Sequence, residues 1–124
     1  MKIMESAENY LETILVLSQR LEVVRSVDVA HELNFSKPSV SIAMKKLREK
    51  NLIEFDENGA IRFLPEGRRI AEAVYDRHVT ISKALQILGV DPLVAEADAC
   101  KVEHVISEET YQSIRAHIKQ YSKE

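Results

Sequence analysis

Glycine and proline are scarce in this chain, with three of each among its 124 residues. Proline lacks the N–H that a helix interior needs, and glycine readily adopts the left-handed conformation that ends a helix. Each of these residues stands where a secondary-structure element is expected to begin or end. Between them, apolar residues recur at helical spacing over most of the chain. The sequence therefore predicts a mostly α fold.

The spacing of the apolar residues predicts six helices. Their expected N-terminal signals are capping residues or proline, namely Ser6, Ser26, Ser36, Pro65, Asp91 and Ser107. The first three helices are expected to end near residues 19, 33 and 50, and Gly89 is expected to stop the long fourth helix. The fifth helix is expected to run to about residue 106.

The apolar period changes from helical spacing to strict alternation after Asn51. Apolar residues then alternate with polar ones on both sides of Asn58-Gly59, at Ile53, Phe55, Ile61 and Phe63. Alternation around Asn-Gly is typical of a β-hairpin. Three helices followed by a hairpin predict an N-terminal winged helix-turn-helix over residues 1–66, followed by an all-helical domain over residues 67–124.

Positive charge is concentrated on the third predicted helix, although the whole chain has a net charge of −3. Residues 36–50 contain one acidic residue, Glu49, and five basic residues, which are Lys37, Lys45, Lys46, Arg48 and Lys50. One interpretation is that these cations form the solvated face of an ordinary amphipathic helix. The order of the elements favours another, in which the helix enters the major groove of double-stranded DNA and its cations meet phosphates.

The expected DNA contacts fall into three groups. Base edges are expected to meet the first turn of the third helix, at Ser36, Lys37, Pro38, Ser39 and Ser41. Phosphates, which give affinity without sequence specificity, are expected to meet Lys45, Lys46 and Arg25. The hairpin carries several acidic residues, so it is expected to touch the DNA backbone only lightly, through Asn58, Gly59 or Arg62.

A second set of polar residues lies on the predicted fifth helix. Four potential metal ligands are spaced i, i+4, i+7 and i+8, at Glu96, Cys100, Glu103 and His104. At this spacing they share one face of a continuous helix, spanning an arc of about 100°. The face could simply be solvated, but a combination of thiol, carboxylate and imidazole groups suits a divalent first-row metal.

Further candidate ligands lie on two other helices. His78 stands inside the apolar stripe of the fourth helix, and Asn9 and Glu12 share a face of the first. By itself, His78 could be a core histidine hydrogen-bonded to one carboxylate. Short connections are expected to pack the first, fourth and fifth helices together, however, and burying this many polar groups without a cation would be costly. The sequence therefore predicts a metal site.

The motifs in these helices resemble those of the metal-dependent repressors typified by the diphtheria toxin repressor and the manganese transport regulator. The resemblance covers residues 8–14, 36–41, 64–67, 77–78, 87–91 and 100–105. Its most specific part is the segment Cys100-Lys101-Val102-Glu103-His104-Val105, preceded by the pair Arg77-His78. The chain is similar to the short, manganese-responsive members of the family, which lack the C-terminal SH3-like domain of the iron-responsive members.

The resemblance implies a ligand set that mixes the two branches of the family. The residues that match ligands of the manganese-responsive members are Glu12, His78, Glu103 and His104. Asn9 and Cys100 stand where those members have Asp and Glu. Because thiolate prefers softer ions, Cys100 favours Fe²⁺, Co²⁺ or Zn²⁺ over Mn²⁺.

The iron-responsive members give a different match. Their activating site is matched by Cys100, Glu103 and His104, whereas Asn9 stands where they have Met. Their second site is matched by His78, but Glu96 and Ser82 replace its His and Glu ligands. The resemblance therefore leaves the physiological ion open.

Together, residues and resemblance predict a metal-activated transcriptional repressor that controls metal-ion homeostasis genes. The expected cofactor is Mn²⁺ or Fe²⁺, with Co²⁺ and Zn²⁺ as surrogates, and the expected partners are an operator in double-stranded DNA and a second copy of the chain. Ile81, Leu85, Leu88 and the fifth helix are expected to form the core of the dimer interface.

Two alternatives are a winged-helix regulator that senses redox state or a small molecule, with Cys100 as the redox switch, and a carboxylate-bridged metalloenzyme or metal store. The second is disfavoured, because no Glu stands three residues before any His, as the helices of di-iron bundles require. We therefore expect no enzyme. A single Cys, with no signal sequence and no long apolar run, predicts a cytoplasmic protein without a membrane partner.

Overall fold

A computed structural model describes residues 5–122, and the side chains of residues 5–120. Its elements, in chain order, are α1 (Glu5–Ser18), α2 (Ser26–Leu33), α3 (Lys37–Glu49), β1 (Ile53–Phe55), β2 (Ile61–Phe63), α4 (Pro65–Ile87), α5 (Pro92–Val102) and α6 (Glu108–Ser122). The expected mostly helical class and the winged helix-turn-helix order are confirmed. Within the described range, no helix is both long and apolar enough to cross a membrane.

The chain divides into two compact units, Met1–Glu72 and Ala73–Glu124, and α4 begins in the first and ends in the second. The core of the first unit contains residues from α1, α2, α3 and β1, among them Leu11, Val29, Val40, Met44 and Ile53. Val40, Met44 and Leu47 form the buried stripe of α3, so the polar and basic side of this helix faces solvent.

The helix starts in the first unit agree with the predicted caps only in part. Ser36 is the N-cap of α3, and its Oγ accepts a hydrogen bond from the Ser39 N–H at 3.3 Å. Ser6 and Ser26 lie inside their helices, so the predictions that they act as caps are wrong. At α2 the N-cap is Arg25, whose N–H donates to the Asp28 carboxylate at 2.8 Å, so the capping side chain lies three residues downstream.

The predicted hairpin is confirmed, with β1 and β2 antiparallel and Glu54 opposite Arg62. Oδ1 of Asp56 accepts hydrogen bonds from the N–H groups of Ala60 and Asn58, at 2.9 and 2.8 Å. These two bonds, led by the one from Ala60, hold the pKa of Asp56 below its usual value. Gly59 supplies the left-handed residue of the turn, with φ of 79°.

In the second unit, three local signals act as the sequence predicts. Gly89 follows α4 with φ of 100°, Asp91 caps α5, and Ser107 accepts the N–H of Thr110 at 3.0 Å. However, α5 ends at Val102 and not near residue 106. The guanidinium of Arg77 donates to the carbonyl oxygens of Glu103 and Ile106, which holds the segment after α5 in a turn. Glu103 and His104 therefore lie beyond the helix.

Candidate metal centre and nucleic-acid interface

Glu103 is the most deeply buried carboxylate of the second unit, with only 1% of its surface exposed. Its Oε2 lies 2.8 Å from Nδ1 of His78 on α4, and its Oε1 lies 3.3 Å from Nε2 of His104. Among the described residues, Oε1 has no partner in hydrogen-bonding geometry. A buried oxygen of this kind is costly unless a donor or a cation satisfies it.

A second carboxylate approaches His78 from the other side of its ring. Oε2 of Glu96 lies 2.6 Å from Nε2 of His78, and Oε1 of Glu96 accepts a hydrogen bond from Ser82 Oγ at 2.9 Å. The contact with His78 is the main cause that lowers the pKa of Glu96, with a smaller contribution from Ser82, while burial opposes both. Glu96 is therefore ionised at neutral pH.

The chemistry of this cluster fits a divalent cation. A neutral imidazole donates from one nitrogen only, whereas both nitrogens of His78 face carboxylate oxygens. Either an additional proton or a cation is needed to balance the negative charge that meets the ring. Imidazole and carboxylate groups suit Mn²⁺, Fe²⁺, Co²⁺ and Zn²⁺, so the residues present fit the predicted metal.

Arg77 holds the segment that carries two of these side chains. Its Nη1 donates to the carbonyl oxygens of Glu103 and Ile106 at 3.2 and 3.0 Å, and Nη2 lies 2.9 Å from the Glu108 carboxylate. Its guanidinium also stacks over the ring of Tyr111. From the sequence alone, the only signal for Arg77 is its position directly before His78. Arg77 thus fixes the backbone of the segment that carries Glu103 and His104.

The prediction that four ligands share one face of α5 is wrong, because the helix ends before two of them. The side of α5 that is buried carries Ala95 and Ala99, and Cys100 is exposed. The structure brings together the side chains of His78, Glu96, Glu103 and His104. Asn9 and Glu12 belong to α1 in the first unit, where Asn9 is half-buried and Glu12 is only 7% exposed.

The predicted DNA-contacting residues of α3 are exposed. They are Ser36, Lys37, Pro38, Ser39, Ser41, Lys45 and Lys46. Two of these side chains are hydrogen-bonded to each other at the start of the helix, where Ser36 Oγ donates to Ser39 Oγ at 2.8 Å. The other polar side chains form a basic surface on one side of α3.

The hairpin turn lies beside another predicted contact residue. Nε of Arg25 donates to the carbonyl oxygen of Asn58 at 3.2 Å, which brings these two residues together. Arg62 is exposed and 3.7 Å from the carboxylate of Asp56. Its charge is thus partly balanced within the hairpin, in agreement with the expected weak contribution of this element to phosphate binding.

Two family models match the chain. Residues 2–61 match the N-terminal DNA binding domain of the iron dependent repressors, and residues 64–124 match their metal binding and dimerisation domain. The transcriptional regulator MntR of Escherichia coli O6:H1 is 34% identical over 111 residues, which are 90% of this chain and 72% of that protein. The diphtheria toxin repressor of Corynebacterium glutamicum is 31% identical over 108 residues, covering 86% of this chain and 47% of that protein.

A solved structure has the same fold. It is described as a manganese-dependent transcriptional repressor in complex with manganese, and it superposes on 91% of this chain with a TM-score of 0.84 and 26% identity. The chain spans 52% of that structure's length. The matches to both domain models cover nearly every residue, and they agree with the fold and with the cluster around His78. The chain therefore belongs to the iron-dependent repressor family.

Proposed function

We propose that this chain is a metal-activated DNA-binding repressor of metal-ion homeostasis genes. The observation that carries the proposal is the buried Glu103 carboxylate, which meets His78 and His104 in the metal binding and dimerisation domain. The other domain exposes a basic helix of a winged helix-turn-helix. We propose Mn²⁺ or Fe²⁺ as the activating ion. We also propose that the protein is cytoplasmic, because the DNA that it would bind lies in the cytoplasm.

We propose that His78, Glu103 and His104 form the centre of the metal site. Glu96 is a further candidate, because its carboxylate contacts the other side of the His78 ring. Glu12 and Asn9 on α1 and Cys100 on α5 complete the proposed ligand set. The burial of the Glu12 carboxylate supports its assignment, since an aspartate or glutamate in such surroundings usually has a cationic partner.

We propose that the second unit forms the dimer. Its most exposed large apolar residues are Leu88, Leu93, Val94 and Val105, and apolar side chains in such numbers favour contact with another chain. Of the residues expected there from the sequence, Ile81 is only 3% exposed, whereas Leu88 and the α5 residues Leu93 and Val94 are exposed and form the proposed interface.

Operator binding in the presence and absence of metal tests the proposal. The operator is selected from a random duplex library, and its affinity is measured anaerobically with Fe²⁺, Mn²⁺, Zn²⁺ or chelator. Coupling free energies of this type are about 1 to 3 kcal/mol, so the activating ion is expected to tighten binding about 5- to 150-fold. Equal affinity under all four conditions would exclude a metal switch.

The exposure of Cys100 favours one second candidate, a redox-sensing regulator of the same fold. The redox-sensing candidate predicts that chelator leaves operator affinity unchanged and that oxidation abolishes operator binding. The same measurements, repeated after mild peroxide treatment, separate the two candidates. We propose no enzymatic activity, because the relatives are transcriptional regulators.

Cys100→Glu is expected to shift metal preference towards Mn²⁺. It replaces a soft thiolate with a hard carboxylate, which Mn²⁺ prefers. Calorimetric titration with Mn²⁺ and Co²⁺ gives the ratio of the two affinities, and Ala97→Glu is the matched control, since it adds a carboxylate to another exposed position of α5. If Cys100→Glu and Ala97→Glu change the ratio equally, Cys100 is not a ligand.

A further inference from the structure

One exposed side chain on α3 does not fit the character of its surroundings. Ile42 is 57% exposed, whereas the other large apolar residues of α3, Val40, Met44 and Leu47, are at most 3% exposed. Residues three and four positions apart are neighbours on a helix surface. The neighbours of Ile42 are all exposed, and they are Pro38, Ser39, Lys45 and Lys46. Ile42 is thus an exposed apolar side chain that lies between Pro38 and Ser39 on one side and two lysines on the other.

The charge around Ile42 indicates what covers it. A single exposed isoleucine is common on protein surfaces and by itself needs no partner. Here, however, the lysines one turn further along α3 make the surrounding surface complementary to phosphates. A helix anchored by such contacts presents its exposed face to the base edges of the major groove. The occupant of this surface is therefore DNA.

Among the groups that bases present in the major groove, one is apolar. It is the C5-methyl group of thymine, which projects into the groove where cytosine has only a hydrogen atom, and the polar groups beside it are hydrogen-bond donors and acceptors. An isoleucine pressed against a donor or acceptor leaves that group without a partner, which is costly. Against a methyl group, it buries apolar surface on both sides.

We propose that Ile42 is a specificity-determining residue that contacts the methyl group of one thymine in each operator half-site. This inference rests on the proposed function. Lys45 and Lys46 contact phosphates and hold the helix in register, but they do not distinguish one base from another.

Replacing thymine with uracil tests the proposal, because uracil lacks only the methyl group and pairs in the same way. Each thymine of the selected operator is replaced in turn, and affinity for the full-length metal-loaded protein is measured. We expect one position per half-site at which the wild-type protein loses about fourfold in affinity, the equivalent of burying one methyl-sized group. Ile42→Ala is expected to bind thymine and uracil equally at that position, and Ile42→Val to retain part of the difference.

Lys45→Ala is the matched control on the same face of α3. It is expected to weaken binding to all duplexes alike, to lower the slope of log affinity against log salt concentration by about 0.9, and to keep the sensitivity to uracil. The proposal is overturned if the half-site contains no thymine, if no replacement affects the wild-type protein, or if Ile42→Ala remains equally sensitive to uracil. Failure to bind any duplex, with or without metal, would instead contradict the proposed function itself.

Discussion

Glu103→Gln is expected to abolish the gain in operator affinity that metal confers, a loss of about 5- to 150-fold at a metal concentration that just saturates the wild-type protein. Glu103 supplies the buried carboxylate of the cluster, with one oxygen beside each of two imidazoles. Glutamine has nearly the same shape but no charge, so it cannot neutralise a cation. Affinity for the metal is expected to fall by at least about 100-fold, because even the loss of an outer-shell partner can cost that much.

The same substitution is expected to leave the metal-free protein nearly as stable as the wild type. The amide oxygen can still accept a hydrogen bond from His78, so the free energy of unfolding is expected to change by about 1 kcal/mol or less. The wild-type protein, by contrast, gains about 2.7 kcal/mol from metal at a hundred times its dissociation constant. Urea unfolding with metal and with chelator measures both quantities in each variant.

Glu109→Gln is the matched control for this experiment. It removes the same charge from an exposed position at the start of α6 and is expected to keep both the metal-dependent stability and the metal-dependent operator affinity. A Glu103→Gln protein that metal still stabilises as much as the wild type would show that this carboxylate is not a ligand. A variant that is unfolded even without metal would show that Glu103 serves the core of the second unit.

The elements that could be predicted from the sequence are those whose signals act over a few residues. Three helices are capped by a side chain that accepts a hydrogen bond from the N–H two or three residues later in the chain, at Ser36, Asp91 and Ser107. Such bonds can be predicted from the residue types alone. Asn58-Gly59 predicted the hairpin for the same reason. The helix class and the winged helix-turn-helix followed, because each local signal agreed with the helical or alternating period on both sides of it.

The end of α5 could not be predicted, because no local signal marks it. The segment from Val102 to Ile106 contains neither glycine nor proline, and its apolar residues continue the helical spacing. Beyond Val102 the backbone is held by Arg77, which lies 26 residues before Glu103 and donates to the carbonyl oxygens of Glu103 and Ile106. Contacts between residues that are far apart in the chain depend on packing, and the spacing of apolar residues in the sequence does not reveal them.

This difference changes how the candidate metal site is built. The sequence predicted that these groups would lie close together, and the side chains of His78, Glu96, Glu103 and His104 do. It placed Glu103 on the same helical face as Cys100, whereas the turn after Val102 separates a buried carboxylate from an exposed thiol. Residue types thus predicted which chemical groups lie close together, whereas the burial of each group depends on how the folded chain packs around it.

Gly67→Ala is expected to destabilise the first unit strongly, by about 3 kcal/mol. Gly67 lies in the first turn of α4, where the N-terminal part of the helix packs directly on the backbone of Leu52. A Cβ at this position would lie 1.9 Å from the carbonyl oxygen of Leu52 and 2.7 Å from its carbonyl carbon. That carbonyl oxygen also accepts a hydrogen bond from the Leu64 N–H at 3.0 Å, so it cannot move away without breaking the bond.

The expected loss of stability in Gly67→Ala is opposite in sign to the effect that helix propensity alone predicts. On helix propensity alone, alanine inside a helix is more stable than glycine by about 0.5 to 1 kcal/mol, so an unobstructed site would be stabilised. Urea unfolding of the full chain with chelator measures the difference in the free energy of unfolding. Gly59→Ala is the control, because its Cβ would meet nothing within 4 Å and the only cost is its left-handed backbone, about 1 to 2 kcal/mol.

The two outcomes have different consequences for how α4 is held. If Gly67→Ala is much less stable than Gly59→Ala, the start of α4 is fixed by contact with the backbone that precedes β1. The helix that carries Arg77 and His78 then begins at a defined position on the DNA-binding unit. If Gly67→Ala is as stable as the wild type, this end of α4 can shift away from Leu52, and the close approach is not what fixes the helix.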